Sequence, residues 1–220
     1  SYEEDLFVAD ISATHVCILN KYNVANHHLL IITRAFEEQE SLLTLPDFAA
    51  MWAVMAEFEG LAFYNAGKNA GASQRHKHLQ VVPLPLAPIG EQIPIEPLVA
   101  SAKYQDSVGT IPSLPFKNAI ARLDPKLVHS PLKAAQVTLD CYYNLLLKVD
   151  LQSETQAGAY NLLATREWML IVPRSQESFE AISVNSLGFA GTLLVRNAQQ
   201  MQLIEDLRPL TFLTKVALPV

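Results

Sequence analysis

His76, His78 and Gln80 stand at alternate positions in the run Arg75-His76-Lys77-His78-Leu79-Gln80. On an extended chain alternate side chains share a face, and positions two apart lie ~7 Å from one another. Two imidazoles and an amide would then line one face of a strand, with Leu79 and Val81 on the other. Three arrangements satisfy such a face. It can be the solvated side of an edge strand. It can hold a metal, since two imidazoles so spaced can share a zinc ion, although no cysteine or carboxylate cluster stands nearby to complete four ligands. Or one imidazole is a nucleophile flanked by groups that bind phosphate. The loop upstream supports the third arrangement. Gly67 and Gly71 permit close backbone approach, and Ser73 and Gln74 add donors to a turn whose amides can cradle an anion.

The elements that must position these groups are legible to different degrees. Residues 15–19 and 28–33 are β-branched and apolar, and Asn20, Asn23 and Asn26 between them supply turn chemistry, so two paired strands are expected. Thr44 is placed to cap a helix, with Pro46 in its first turn and Asp47 completing a capping box. Phe48, Met51, Trp52, Met55, Phe58, Ala62 and Phe63 recur at helical spacing, which predicts a helix reaching about Tyr64, closed by Gly67 and Gly71. Residues 75–83 read as a strand. Pro83, Pro85, Pro88, Pro94 and Pro97 mark an extended connection without regular structure. Residues 114–123 suggest a strand, Ser130-Pro131 opens a helix through Val149, and 152–158 is a polar loop. A second hairpin is expected over 160–164 and 168–173, and a helix over 198–207. Gly188 and Gly191 leave the stretch between ambiguous.

His28-Leu29-Leu30-Ile31-Ile32-Thr33-Arg34 resembles Trp168-Met169-Leu170-Ile171-Val172-Pro173-Arg174. Either the second half repeats the first without its histidines, or two apolar strands are alike by chance. The expected organisation is one domain over 1–220: a catalytic core half at 1–84, a proline-rich connection at 85–112 and a C-terminal half at 113–220.

Half of the 220 residues are apolar, which suffices for a sizeable core, and only 17% are charged, which argues against extensive disorder. A net charge of −6 disfavours duplex nucleic acid as a partner but leaves room for a small polyphosphate in a local pocket. Cys17 and Cys141 have no metal-ligand spacing and read as small buried residues in a reducing cytoplasm. No run approaches the ~20 apolar residues of a membrane span, and no secretory leader is evident.

Asn65, Gly67, Gly71, Ser73, His76, His78 and Gln80 form the pattern N-x-G-x-x-x-G-x-S-x-x-H-x-H-x-Q, which resembles the histidine triad superfamily. Glutamine in the third place marks its transferase branches. The segment is similar to the diadenosine tetraphosphate phosphorylases, also called ATP adenylyltransferases. Residues 28–34, Tyr160-Asn161-Leu162-Leu163, Trp168-Met169-Leu170 and Val184-Asn185-Ser186-Leu187-Gly188-Phe189 extend the likeness collinearly over most of the chain.

The resemblance implies an α+β fold, an antiparallel sheet with packed helices and a C-terminal elaboration. It implies phosphorolysis of diadenosine tetraphosphate to ATP and ADP, and the reverse, through an adenylyl-histidine on His78. Gln80 would bind the transferred phosphate, and His76 would support the nucleophile or touch phosphate. Ser73 and Gln74 would contact the phosphate chain, Asn65 and Gly67 would flank the nucleotide, His28 would occupy an active-site position, and Asn20 a ribose-binding one. No obligatory cofactor follows, although a magnesium ion is compatible with the nucleotide. The partners are the dinucleotide, ATP, ADP and phosphate, with no nucleic acid or membrane; the oligomeric state is not indicated. Longer family members carry a further N-terminal segment with a basic residue for the phosphate chain, and this sequence begins after it.

A polyphosphate leaving group ionises near neutrality, so Gln80 need not deliver a proton. Arg75, Lys77, Lys21, Arg34 and Arg166 are candidate sources of positive charge, although Lys77 would face away from His78. His15, His27 and His129 match nothing in the family and are expected to be structural or exposed. Ala72 replaces a common glutamine, and Lys77 together with the lack of zinc-binding cysteines argues against the uridylyltransferase branch. Two alternatives remain: a nucleotidyl transferase with a hexose-1-phosphate acceptor, and a non-catalytic nucleotide-binding module.

Overall fold

A computed structural model describes residues 3–22, 26–151 and 158–220; Asn23 and the loop expected over 152–158 fall outside the described residues, Gly158 excepted. Ten strands form one antiparallel sheet. They are β1 (Phe7–Asp10), β2 (His15–Leu19), β3 (Leu29–Thr33), β4 (Gly60–Ala66), β5 (His78–Pro83), β6 (Lys103–Gln105), β7 (Val108–Thr110), β8 (Ala119–Arg122), β9 (Tyr160–Ala164) and β10 (Trp168–Pro173). Their lateral order is β1-β2-β3-β5-β4-β9-β10-β8-β7-β6. Helix α1 (Leu45–Glu57) separates β3 from β4, and α3 (Pro131–Lys148) separates β8 from β9.

The order exposes a repeat. Three strands, a helix and two strands occur twice, and the lateral order of the second set mirrors the first about the β4–β9 junction. The sequence echo of residues 28–34 in 168–174 therefore points to a real duplication but mispairs it. The strand that holds the place of β10 in the first half is β5, which carries His78, and not β3. At the junction Asn65 lies opposite Asn161, each preceded by a tyrosine.

Both long helices lie on one face. Phe48, Met51, Trp52 and Met55 of α1 pack with Tyr142, Leu145 and Leu146 of α3 over Ile31, Leu79, Val81, Tyr64 and Leu162 of the sheet. Asp47 accepts from the Thr44 N–H at 2.7 Å, as the capping pattern predicts. A second apolar cluster covers the opposite face of the C-terminal half. There Leu163, Leu170 and Val172 meet Leu187 and Phe189 of α4 (Ser186–Phe189), Ile204 of α5 (Ala198–Leu207) and Phe212 of α6 (Pro209–Thr214).

Several expectations are corrected. The helix expected to reach Tyr64 ends at Glu57, and the residues after it form β4. All seven β4 residues are buried, so the strand has no polar alternation, and an apolar run of this kind looks the same as a buried helix in sequence. Gly60 marks the start, because a Cβ there would lie 2.9 Å from Val82 O. The strand expected over 75–83 begins only at His78, and that over 114–123 shortens to β8. The proline-rich stretch ends in a short helix, α2 (Glu96–Val99), and is followed by β6 and β7, which add to the sheet edge. The hairpin over 160–164 and 168–173 and the helix over 198–207 stand where expected.

Candidate active site

His78 opens β5, flanked by β3 and β4 near the middle of the first half. Leu79 and Val81 point to the helices; His78 and Gln80 point to the opposite face. His78 Nδ1 lies 2.8 Å from His76 O. A carbonyl only accepts, so Nδ1 carries the proton and the Nε2 lone pair is directed into the cleft. Burial pushes the His78 pKa below the ordinary value, the His76 carbonyl opposes this, and the His76 ring adds to it. The ring is 8% exposed and neutral near pH 7, the form a nucleophile requires.

Gln39, which sequence reasoning overlooked, holds the main chain beneath this ring. Its Oε1 accepts from His78 N at 2.9 Å, and its Nε2 donates to His78 O at 3.2 Å and Asn65 O at 2.9 Å. The β4–β5 pairing runs from Gly60↔Pro83 to Phe63↔Gln80. Two residues beyond, the buried Gln39 amide takes the place of direct strand contacts between Asn65 and His78.

A chain of side chains orients Gln80. The Asn20 Nδ2 donor lies 3.3 Å from His28 Nδ1, and His28 Nε2 lies 2.8 Å from Gln80 Oε1. With His28 Nε2 donating, the Gln80 carbonyl is occupied and its NH2 is presented to the cleft. Burial lowers the His28 pKa; the bond to Gln80 opposes this and the His78 ring reinforces it. His28 thus reaches the site through Gln80.

These groups line a cleft of about 460 Å³, in the range of small-molecule sites. Of the residues expected at the site, Asn20, His28, Asn65, Ser73, Gln74, His76, His78 and Gln80 all form its wall, and Leu30 and Ile32 add apolar surface. Gly67 does not. It sits behind the loop at φ +88°, where a Cβ would lie 2.8 Å from the Glu40 side chain, and it shapes the turn instead. Gly71, at φ +90°, brings the loop against Val184 O and Asn185, and Asn185 also joins the wall.

His76 precedes the strand rather than sharing its face. Its Nε2 is held 2.7 Å from Thr33 O, so its contribution to His78 comes through its carbonyl. Lys77 does face away from His78, as expected, but is neither solvated nor directed at a partner. It is buried, with Nζ 2.7 Å from Asp47 and 3.0 Å from Glu37. Asp47 also binds His15 Nε2 at 2.8 Å, which makes His15 structural; His129 is exposed. Arg34 pairs with Asp10, Arg75 with Glu38, and Arg166 donates to Met55 O. Of the five candidate cations only Lys21 reaches the cleft wall, paired with Glu3 at 2.6 Å. The polar part of the wall is therefore mainly uncharged. Among the described residues no three potential metal ligands converge, and no helix is long and apolar enough to cross a membrane.

Comparison with known proteins follows the same division of the chain. Residues 1–101 match the model of the Ap4A phosphorylase N-terminal domain, and residues 112–219 that of the ATP adenylyltransferase C-terminal domain. The chain is 29% identical to Diadenosine 5',5'''-P1,P4-tetraphosphate phosphorylase 2 of Saccharomyces cerevisiae over 86% of its own length, and spans 65% of that relative. The crystal structures of yeast Ap4A phosphorylase Apa2 with Ap4A and with AMP superpose with TM-scores of 0.82 and 0.83 at 23% and 24% identity. In the Ap4A complex the match covers 99% of this chain and 79% of the other. The fold is shared throughout.

Proposed function

The chain belongs to the Ap4A phosphorylase and ATP adenylyltransferase family, and we propose that it catalyses phosphorolysis of diadenosine tetraphosphate to ATP and ADP, and the reverse. The observation that carries the reading is the geometry of His78: Nδ1 tied to a carbonyl at 2.8 Å, Nε2 free toward a cleft lined by amide and hydroxyl donors. His78 Nε2 attacks the α-phosphorus, forming a P–N bond as the P–O bond to the departing ATP breaks. The proton stays on Nδ1, hydrogen-bonded to His76 O, so the adenylyl-imidazolium is stabilised from behind. Phosphate oxygen then attacks the same phosphorus from the cleft side, the P–N bond breaks, and ADP forms with His78 returned to its neutral state.

Charge on the α-phosphate of the transferred adenylyl group is met by the Gln80 NH2, the Asn65 side chain and the loop bearing Ser73 and Gln74, preorganised donors in the cleft. The departing nucleotide needs no proton, so an amide serves at position 80. Glu3 is the one carboxylate in the described wall and is paired with Lys21. These residues do not fit a resident divalent-ion site, and any magnesium ion must arrive with the polyphosphate. A cytoplasmic location accords with two free, buried cysteines.

The test is a single turnover. Protein incubated with adenine-labelled diadenosine tetraphosphate, without phosphate, should release ATP and retain acid-labile label, and added phosphate should release that label as ADP. Folded protein that binds the dinucleotide but never acquires label would instead be a binding module. Release by hexose-1-phosphate, and not by phosphate, would move the assignment to the other acceptor class.

A further inference from the structure

Asn65 meets the C-terminal half through one oxygen. Its Oδ1 receives Asn161 Nδ2 at 2.9 Å, Ser186 N at 2.9 Å and Ser186 Oγ at 2.7 Å. Among the described residues its Nδ2 has no protein partner, and it is not sealed in the interior, because no buried polar side-chain atom lacks a bond. The nitrogen therefore opens onto the cleft that Asn65 lines.

Behind Asn161 stands Arg174, which is 4% exposed and, among the described residues, bonds no carboxylate oxygen. All five of its N–H groups are taken up. Nε donates to Val216 O at 3.0 Å, one terminal nitrogen to Asn161 Oδ1 at 2.6 Å and Val184 O at 2.8 Å, and the other to Gln176 O at 2.8 Å and Glu177 O at 3.0 Å. Burial lowers its pKa to about 10, so it remains charged at neutral pH. Guanidinium can only donate, and this fixes the sense of every bond that follows. The Asn161 oxygen must face Arg174. Its nitrogen must then face Asn65 Oδ1, and Ala70 O at 2.8 Å. The Asn65 nitrogen must face the cleft.

We infer that Asn161, Ser186 and Arg174 are positioning residues by which the C-terminal half sets the Asn65 amide as a hydrogen-bond donor to the α-phosphate of the adenylyl group transferred at His78. None of the three touches the nucleotide in this scheme. The kinetic part of the inference rests on the proposed phosphorolysis; the orientation of Asn65 does not.

Asn161→Asp separates positioning from folding. It gives Arg174 a negative partner, while removing the donor to Asn65 Oδ1 and drawing the Asn65 nitrogen toward the new carboxylate. Three readings decide the matter. The Asn65 side-chain amide resonances, assigned by their loss in Asn65→Ala, should shift in ligand-free Asn161→Asp; unmoved resonances overturn the inference. In turnover, kcat should fall at least about tenfold with KM changed less. The same substitution should cost nothing further in an Asn65→Ala background, the non-additivity of residues acting through one another. Equal losses in both backgrounds, or wild-type kcat, also overturn it. If wild-type protein binds AMP but turns nothing over, the proposed function fails, while the resonances and the same cycle in AMP affinity still decide the positioning; absence of AMP binding overturns both. Should Asn161→Asp not fold, Arg174→Lys, which cannot reach five acceptors, carries the same three readings.

Discussion

The two halves of the sheet have the same order of elements and opposite treatments of the same face. One lateral row reads Leu30, Gln80, Phe63, Leu163, Leu170, Ile120 across the strands. The polar member lies in the first half; the residue equally far from the junction in the second is Leu170. One row along, His78 and Asn65 are followed by Asn161 and Val172. In the second half the polypeptide after β10 returns over this face and seals it with Leu187, Phe189, Ile204 and Phe212. In the first half that face is a cleft. A duplicated scaffold thus yields a single site because one copy is covered by its own C-terminal segment, and Asn161 of β9 and Arg174, just after β10, then serve the other copy.

The comparison breaks most directly at His78. His78→Ala should lower turnover at least about a thousandfold, as loss of a covalent nucleophile does, with Tm held within a few degrees; substantial residual phosphorolysis would deny the ring its role. Exchanging residues within the shared row should give opposite outcomes. Leu170→Gln places an unpartnered amide in a sealed interior and should cost about 2–3 kcal/mol, a Tm drop of roughly 4–12 °C. Gln80→Leu, facing the cleft, should leave Tm unchanged or raised while turnover falls about a hundredfold. Similar Tm losses at both positions would mean that the two faces are equally closed.

A smaller effect is expected at His28. His28→Leu frees the Gln80 amide to rotate and should reduce kcat about tenfold, read against an unchanged circular dichroism spectrum; an undiminished rate would mean that Gln80 needs no orientation. The smallest effect concerns pH. Burial holds the folded pKa of both His28 and His78 below the value near 6.5 that each regains on unfolding. As pH falls through 6.5 the unfolded chain takes up protons first, so stability should decline with pH in that window and level off once the folded rings titrate. Urea unfolding at several pH values should show this slope, reduced when both rings are replaced. The acid limb of kcat/KM should likewise lie below 6.5, and a limb above it would contradict a buried, neutral nucleophile.

Where sequence reasoning succeeded, the signal was local. The alternation of His78 and Gln80, the loop donors Ser73 and Gln74, and the Thr44–Asp47 cap all depend on neighbours a few residues apart. Where it failed, a long-range contact had decided the matter. Residues 60–66 have the composition of a buried helix and become a central strand because β5 and β9 flank them. Lys77 has the sequence context of a surface lysine and is buried because Asp47, thirty positions earlier, receives it together with His15. Gln39 stands in no motif and Arg174 only at the end of the strand echo, and their importance arises from which backbone carbonyls and amides they meet.

The chain's residue types and short spacings determined that an imidazole would stand on a strand beside a loop of polar donors, and that the chain would alternate helices with apolar strands. Tertiary structure decided which nitrogen of His78 is free, which end of the Asn65 and Gln80 amides faces the cleft, and which of two like faces stays open. The two amide orientations depend on hydrogen-bond partners 52 and 121 residues away, His28 to Gln80 and Asn65 to Ser186, and the His78 tautomer on the ring orientation that turns Nδ1 to the carbonyl of His76. The directional sense of such bonds is fixed only once donors and acceptors from both halves are brought together.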